Sequence, residues 1–509
     1  MLLGSKPQEG ALAGELELRS WRNPRRSGMA LMLTVIVVLT GATLLLGFAN
    51  KERCVGPDFD ARGRSAPDYR PRINRDVCYS DIQHLWLGRD VDKHVFPYVH
   101  GSITPEGKLT GGSIEYPVLT GMLMWAAASF AHNDGQFLLC SALLLAPFGL
   151  ATGWMLGKLA RWRALIWALG PPLVLYAFLN WDLAVVACAV AAVFVVNGWR
   201  PERALVDRSV IAAVLLGLGF AFKLYPGAFV LPLALYVLTM SRPGRLHWWG
   251  AAQVVAAATA TVVLANLPFV LAGYDGWRAS FTFQQLRKVD LVTNSIWYWG
   301  FQPDSGSDRL EFQRWVNWLS PTLVLLSFGL AAAVGWARWR RTGTYPWIAV
   351  SAAMLCGFLL LHKVHSPQYT LWLLPFFVVL AVPWRWVIGY LVVDAVMGIA
   401  IFRWLYARDT GGANDISAGL AAQSLAVGVW GSAALLVVLF VVFLSLPDPL
   451  ADRERRIAAS VGDLAAPGDV SLDLVAGEHG RRRWQRRSRY QPDGDRGEVA
   501  LIGSLPEQV

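Results

Sequence analysis

The chain has 509 residues, of which 55% are hydrophobic and 16% charged, and its mean hydropathy is +0.39. Soluble domains carry roughly a quarter charged residues, so this composition excludes a water-soluble enzyme and predicts a polytopic membrane protein. The net charge of +10 does not indicate nucleic-acid binding, because Lys and Arg lie beside apolar segments, where they orient the chain and contact anionic membrane lipids.

The first apolar segment, 29–49, is too long for a signal peptide and lacks a small-residue cleavage site, so we expect a retained helix. Arg22, Arg25 and Arg26 precede it and place the N-terminus in the cytoplasm. Twelve further apolar segments follow, at 114–131, 137–157, 164–179, 183–197, 210–222, 226–239, 248–271, 315–335, 346–361, 370–383, 386–402 and 424–446.

Thirteen crossings would leave the Arg-rich C-terminal tail outside the cell, where positive charge is disfavoured. The two halves of 164–197 are each too short to span a bilayer, and they meet at Asn180-Trp181-Asp182. We therefore expect one broken crossing there, and an all-α protein with about twelve transmembrane helices and both termini in the cytoplasm.

This topology divides the chain into a disordered N-terminus at 1–28, a membrane domain at 29–446 and a basic, largely disordered tail at 447–509. The first outer loop, 50–112, has 63 residues, which is long for a simple connection, and we expect short helices in it and in a second outer loop near 272–313. Cys54 and Cys78 both lie in the first loop, and their spacing alone leaves open whether they form a disulfide.

Polar side chains gather at the predicted outer ends of the spans, where ionisable residues are costly unless they line a wet cavity. A carboxylate opposite cations suits a displacement in which a base activates a hydroxyl while the cations stabilise a departing phosphate. The clusters are Asp81 with His84, Glu115 with Tyr116, Asn180 with Asp182, Lys223 with Tyr225, His362 with Lys363, His365 and Gln368, and Arg403 with Arg408.

The order of these motifs resembles that of glycosyltransferase family 87. The matching stretches are Tyr79-Ser-Asp81-Ile-Gln-His-Leu-Trp86, Phe96-Pro97-Tyr98, Glu115-Tyr116-Pro117-Val118, Lys223-Leu-Tyr-Pro226 and His365-Ser-Pro-Gln368. The resemblance covers roughly 30–445 and implies the C-type glycosyltransferase architecture of actinobacterial plasma-membrane enzymes. These enzymes move a hexose, commonly mannose, from a polyprenyl-phosphate sugar to a lipid or lipoglycan of the cell envelope outside the membrane.

On this resemblance Asp81 is the expected catalytic base of an inverting displacement, although Asp is also a favoured helix N-cap. The candidates for the donor phosphate are Lys223, His362, Lys363, His365 and Arg403, whose alternative role is snorkelling at helix ends. The candidates for the sugar or the acceptor are His84, Glu115, Tyr116, Asp182, Tyr225 and Gln368.

We expect neither a metal nor a cofactor, since the lipid-linked sugar is a substrate. The sequence has no glycine-rich nucleotide fingerprint after a strand and no paired acidic motif for a metal-bound nucleotide sugar. The main alternative function is a transporter or a lipid or glycan flippase, because twelve spans with ionisable residues are also typical of carriers. A polyprenyl-linked glycan ligase and an envelope scaffold are further alternatives.

Overall fold

The computed structural model describes residues 24–242, 244–303 and 307–447. The expected disordered segments 1–28 and 447–509 lie almost entirely outside the described residues. The α-helices are α1 (Pro24–Glu52), α2 (Tyr69–Arg75), α3 (Asp81–His84), α4 (Val118–Ala128), α5 (Asp134–Ala160), α6 (Leu165–Ala168), α7 (Pro171–Tyr176), α8 (Asp182–Asn197), α9 (Leu205–Phe222), α10 (Val230–Met240), α11 (Trp248–Ala272), α12 (Tyr274–Leu286), α13 (Ser307–Thr342), α14 (Trp347–Leu361), α15 (Thr370–Val379), α16 (Trp384–Asp409) and α17 (Leu420–Ser445).

The protein is an all-α, multi-pass membrane protein. Within the described residues, seven helices are long and apolar enough to cross a bilayer, and five apolar helices of 10–17 residues accompany them. The long helical segments are Gly28–Glu52, Asp134–Ala168, Leu205–Phe222, Trp248–Ala272, Ser307–Thr342, Trp384–Asp409 and Leu420–Ser445; the shorter ones are Val118–Ala128, Asp182–Asn197, Tyr225–Met240, Trp347–Leu361 and Pro367–Val379. Three of these segments include a 3-10 turn next to an α-helix: Arg161–Ala164, Tyr225–Phe229 and Pro367–Tyr369. Together the two groups equal in number the twelve crossings predicted from the sequence.

The predicted interruption within 164–197 is present. Helix α7 ends at Tyr176, and α8 begins at Asp182, so the chain is non-helical at the Asn180-Trp181 pair. The Asn180 side chain accepts a hydrogen bond from the backbone N–H of Trp181 at 2.7 Å, which holds the break in a fixed shape. Because α8 packs between α5 and α9, the break lies inside the helical bundle.

Helix packing separates a buried interior from faces suited to lipid. Helix α1 packs on α5, where Gly153 permits a close approach: a Cβ there would lie 2.6 Å from the Thr40 hydroxyl oxygen. Only 17% of the most apolar window of α11 and 22% of that of α13 are buried. Their exposed leucines, such as Leu264 and Leu326, are expected for helices that contact acyl chains.

The first outer loop, so named for its predicted orientation, is a folded unit. Cys54 and Cys78 form a disulfide with a Cα–Cα distance of 6.1 Å, which answers the question that their spacing left open. Strands β1 (Asp58–Phe59) and β2 (Ser65–Ala66) pair antiparallel, as do β3 (Ser102–Ile103) and β4 (Leu109–Thr110). Helices α2 and α3 lie between the two hairpins, and α12 lies in the second loop, so both loops contain the short helices expected.

Candidate active site

A cavity of about 930 Å³ is lined by residues from seven separate parts of the chain. Its volume is in the range of pockets that enclose sizeable organic ligands. The residues that line it are Tyr79, Asp81, His84, Leu85, Gly88 and Arg89; Pro105, Glu106 and Gly107; Glu115, Tyr116 and Pro117; Asn180; Lys223, Leu224 and Tyr225; Ser280, Phe281, Phe283, Gln284, Leu286, Arg287, Lys288 and Asp290; and Phe358, His362, Ser366, Gln368, Tyr369 and Trp372.

Asp81 lines this cavity at the first residue of α3. The preceding Ser80 is fixed by a 2.6 Å bond from its hydroxyl to the Phe178 carbonyl, and the Asp81 N–H donates to the Leu179 carbonyl at 2.7 Å. The Asp81 carboxylate accepts from the Tyr79 hydroxyl at 2.6 Å and from the Asn180 amide at 2.8 Å. Its hydrogen-bond partners are therefore side chains of the cavity and not the backbone of α3, which differs from an N-cap.

Asn180 connects two candidate residues. Its side-chain nitrogen donates to Asp81 Oδ2 and to Tyr116 Oη, each at 2.8 Å, while its side-chain oxygen accepts from the Trp181 N–H. All of its polar atoms are thus engaged, and it holds the carboxylate of Asp81 in one orientation. The sequence placed Asn180 in a polar cluster without assigning it a role.

Lys223 reaches the cavity, but its charge is already paired. Its ammonium lies 2.6 Å from Oδ1 of Asp182, and this oxygen also accepts from the Trp372 indole N–H at 2.7 Å. The ammonium also lies 5.4–5.8 Å from the ring centres of Tyr116, Tyr369 and Trp372, within cation–π distance. Asp182, an expected sugar ligand, is fully buried behind Lys223 and does not line the cavity.

Three aromatic rings that line the cavity form one stack. Trp372 stacks on Tyr225 with ring centres 4.3 Å apart, and on Tyr369 with ring centres 3.9 Å apart. Gln368 lines the cavity beside them, and its buried side-chain oxygen has no partner among the described residues. The stack gives this part of the cavity an aromatic lining with the polar side chain of Gln368 beside it.

Glu115, another candidate, is held by an arginine. Its carboxylate accepts two bonds from Arg89, at 2.5 and 3.0 Å, in a bidentate ion pair. The Gln284 side chain donates to the Glu115 carbonyl at 2.7 Å and so connects the second outer loop to the first. This geometry makes Glu115 a structural connection between the loops, and leaves its carboxylate less free for a ligand.

The candidate His84 lines the cavity on the other side of Asp81. Its ring stacks against Tyr69, with centres 6.5 Å apart, and its buried Nδ1 has no hydrogen-bond partner in the described part of the chain. Burial lowers the pKa of His84, and the negative charge of Asp81 opposes this effect. His84 therefore contributes a mainly neutral imidazole to the lining of the cavity near pH 7.

The candidate residues in the segment after α14 lie in different places, and His362 is the one in the cavity. His362 lines the cavity, stacks on Phe358, and contacts the Val364 carbonyl through Nδ1 at 2.9 Å. Burial lowers the pKa of His362 to about 4. The imidazole is therefore neutral near pH 7, and it can exchange hydrogen bonds but adds no positive charge.

Three expected phosphate ligands lie away from the cavity. Lys363 donates to the Asn317 side chain at 2.7 Å and connects its loop to α13. His365 is buried against the Leu359 carbonyl, with Nδ1 at 3.0 Å, because its loop turns that side chain toward α14. Arg403 is an exposed residue of α16, and it does not line the cavity.

Two cations that the sequence analysis did not single out line the cavity instead. Arg287 and Lys288 follow the end of α12 and line the cavity. In the described ranges, no carboxylate lies within ion-pair distance of either, unlike Arg89 and Lys223. The charge of Arg287 reaches His362, where it contributes to the lowered pKa. The sequence signal was the pair of cations at the end of a loop helix, which resembled an ordinary surface segment.

Metal ligation has no obvious location in this arrangement. Over the ranges that the structure describes, no three His, Cys, Asp or Glu side chains are gathered closely enough to hold a metal ion.

Comparisons with known proteins locate the chain in a family. No curated protein sequence is significantly similar to it. A crystal structure of ArnT from Cupriavidus metallidurans bound to undecaprenyl phosphate aligns with 85% of this chain and 79% of that chain, at 15% sequence identity and a TM-score of 0.37. Residues 115–367 match the model of glycosyltransferase family 87; this range includes Glu115, Lys223 and His362, and Asp81 precedes it. Through this segment, the chain belongs to glycosyltransferase family 87.

Proposed function

We propose that the protein transfers a hexose, specifically mannose, from a polyprenyl-phosphate sugar to a lipid or lipoglycan acceptor at the outer face of the plasma membrane. The observation that carries the proposal is that a carboxylate and two cations line one cavity. The oriented carboxylate of Asp81 lines the same 930 Å³ space as the cations of Arg287 and Lys288. Membership in a glycosyltransferase family makes glycosyl transfer the chemistry to consider for this pair.

In this mechanism Asp81 accepts the proton of the acceptor hydroxyl as its oxygen attacks the anomeric carbon of the donor. The bond between that carbon and the phosphate oxygen breaks, and its electron pair leaves with the polyprenyl phosphate. Attack opposite to the leaving group inverts the anomeric configuration. The hydrogen bonds from Tyr79 and Asn180 fix the carboxylate, so the acceptor oxygen meets a base with a set orientation.

The structure changes which residues we assign to the donor phosphate. Lys223 is paired with Asp182, and three other expected ligands lie outside the cavity. Arg287 and Lys288 supply the positive charge in the revised assignment, and His362 supplies a hydrogen bond. A guanidinium matches phosphate geometry and remains charged at any physiological pH, so Arg287 is the main ligand that we propose.

The orientation that we propose places this cavity outside the cell and both termini in the cytoplasm. The Cys54–Cys78 disulfide supports it, because disulfides persist in oxidising compartments and this one lies three residues before Asp81. The arginines that precede the first apolar segment, 29–49, favour the same orientation. Labelling of single cysteines introduced into the first loop of intact cells would test it directly.

The experiment that tests the function is sugar transfer by the full-length protein in proteoliposomes. Radiolabelled decaprenyl-phosphate mannose is the donor, the lipid extract of the source cells is the acceptor, and parallel reactions use the arabinose and glucose donors and GDP-mannose. We expect labelled lipid product from the mannose donor and none from GDP-mannose. Absence of transfer from all three lipid-linked donors would contradict the proposal and direct attention to lipid translocation.

A further inference from the structure

The hairpin formed by β3 and β4 is firmly attached to the rest of the site. Ser102 pairs with Thr110, and Ile103 pairs with Leu109. After β4, the Ser113 hydroxyl donates to the Gly276 carbonyl of α12 at 3.2 Å. The hairpin is therefore held against α12 at its base.

The tip of this hairpin contributes directly to the cavity wall. Pro105, Glu106 and Gly107 all line the cavity. Gly107 has a φ of +82°, as the tight turn requires, and a Cβ built on it would lie 3.9 Å from Leu286 at the end of α12. Because Pro105, Glu106 and Leu286 are exposed, these residues form the open rim and not the buried floor.

Glu106 differs from the other carboxylates of the cavity. Asp81 and Glu115 are engaged with the partners described above, and Asp290 accepts the backbone N–H of Val292 at 3.1 Å. In the portion of the chain that the structure describes, Glu106 has no cationic partner. A hydrogen bond from the Thr104 side chain lowers the pKa of Glu106, so the exposed carboxylate is ionised near neutral pH.

The chemistry of the rim selects a class of ligand. An ionised carboxylate repels phosphate, but its two oxygens can accept hydrogen bonds from two neighbouring hydroxyl groups. The aromatic rings of Phe281 and Phe283 line the same cavity and provide apolar surface for the C–H groups of a pyranose. A carboxylate next to aromatic faces therefore fits a neutral, hydroxyl-rich ring better than a charged headgroup.

We infer that the β3–β4 hairpin is the acceptor-recognition element of this enzyme, and that Glu106 binds a pair of hydroxyl groups on a sugar ring of the acceptor. The inference rests on the proposed function, because it assigns the acceptor side of the same cavity. Glu106 acts on specificity: it holds the ring whose free hydroxyl is presented to Asp81. It does not act on the reacting atoms.

The test is a kinetic comparison with a soluble acceptor probe, octyl α-D-mannopyranoside, and decaprenyl-phosphate mannose as donor. The variants are Glu106→Ala, Glu106→Gln and, as the matched control, Lys108→Ala, which removes an exposed charge from the same hairpin outside the cavity. Loss of two hydrogen bonds to a charged group predicts an acceptor KM that is about tenfold to a hundredfold higher for Glu106→Ala. We expect kcat and the donor KM to stay within about twofold, an intermediate acceptor KM for Glu106→Gln, and wild-type values for Lys108→Ala.

An unchanged acceptor KM in Glu106→Ala would overturn the inference, as would an equal effect of Lys108→Ala. If the wild type transfers no sugar at all, the proposed function fails, and equilibrium binding decides the inference separately. Saturation-transfer NMR with methyl α-D-mannopyranoside, on full-length protein in phosphatidylcholine nanodiscs, then compares the wild type with the same variants. Weaker binding in Glu106→Ala alone supports a sugar site at the rim; equal binding, or no binding by the wild type, rejects it.

Discussion

The side-chain amide of Asn180 donates to Asp81 across a separation of 99 residues, at 2.8 Å, and also to Tyr116 at 2.8 Å. The break between α7 and α8 places Asn180 beside the first outer loop, which carries Asp81. The broken crossing therefore allows Asn180 to orient the carboxylate that we propose as the base.

Substitution of Asn180 should change how activity depends on pH. In Asn180→Asp, two carboxylates compete for one proton, so the acidic limb of the kcat profile should move to higher pH and kcat near pH 7 should fall at least tenfold. Asn180→Ala should lower kcat without such a large displacement. Asn197→Ala, at the far end of α8, is the control. Coincident pH profiles of Asn180→Asp and the wild type would show that Asn180 does not act through Asp81.

Arg287 should govern the affinity for the donor. Because its guanidinium has no carboxylate partner in the described residues, Arg287→Ala should raise the KM for the polyprenyl-phosphate sugar by about tenfold to a hundredfold. Arg287→Lys keeps the charge but loses the bidentate geometry, so we expect an intermediate KM. Arg278→Ala removes an exposed arginine from α12, the helix that Arg287 follows, and should have no effect. A donor KM that is unchanged in Arg287→Ala would remove this residue from the phosphate site.

The sequence predicted which residues belong to this site better than it predicted which of them contact each other. It placed Asp81, Tyr116, Lys223 and His362 in polar clusters at the ends of spans, and the structure brings these four to one cavity. Periodicity and hydropathy identify the ends of spans. Charged residues lie at these ends because burying a charge in a bilayer is costly, whichever helices pack nearby.

The pairings depend on which spans pack together, and this information is not local. Lys223 and Asp182 lie 41 residues apart and form an ion pair, so the charge of Lys223 is not free for a phosphate. His362 and His365 are three residues apart, yet only His362 reaches the cavity, because the loop after α14 is not helical. Arg287 was overlooked for the same reason. A cation after a loop helix can be recognised as a site residue only when the fold shows that the loop lies at a cavity.

The stability of the protein should fall on acidification, in part because of His362. The folded protein holds the pKa of His362 at about 4, whereas an unfolded chain titrates it at about 6.5. Between these values the unfolded state binds more protons, so lowering the pH from 7.5 to 5 favours unfolding. The melting temperature of His362→Gln should therefore fall less between pH 7.5 and pH 5 than that of the wild type. His132→Gln, at an exposed position, should show the same fall as the wild type. An equal loss in His362→Gln would contradict the assignment.

The Cys54–Cys78 disulfide should stabilise the loop that carries Asp81. It closes a segment with a sequence separation of 24, for which loop-closure entropy gives about 3 kcal/mol of stabilisation. Reduction with TCEP should lower the melting temperature and the transfer rate of the wild type, but neither quantity in the Cys54→Ser/Cys78→Ser variant. Cys140→Ser should respond to TCEP as the wild type does, because Cys140 is a free cysteine. A wild-type melting temperature that does not respond to TCEP would mean that the bridge has no stabilising role.

The central claim is that Asp81 is the base of a sugar transfer from a lipid-linked donor. The most direct test compares initial rates of mannose transfer from decaprenyl-phosphate mannose for the wild type, Asp81→Asn and Asp76→Asn, each reconstituted at equal protein content. Asp76 is a carboxylate of the same loop that is paired with Arg75 and lies outside the cavity, so its variant controls for loss of charge. We predict a loss of at least about a hundredfold in kcat for Asp81→Asn and a nearly unchanged rate for Asp76→Asn. Transfer by Asp81→Asn at the wild-type rate would contradict the account.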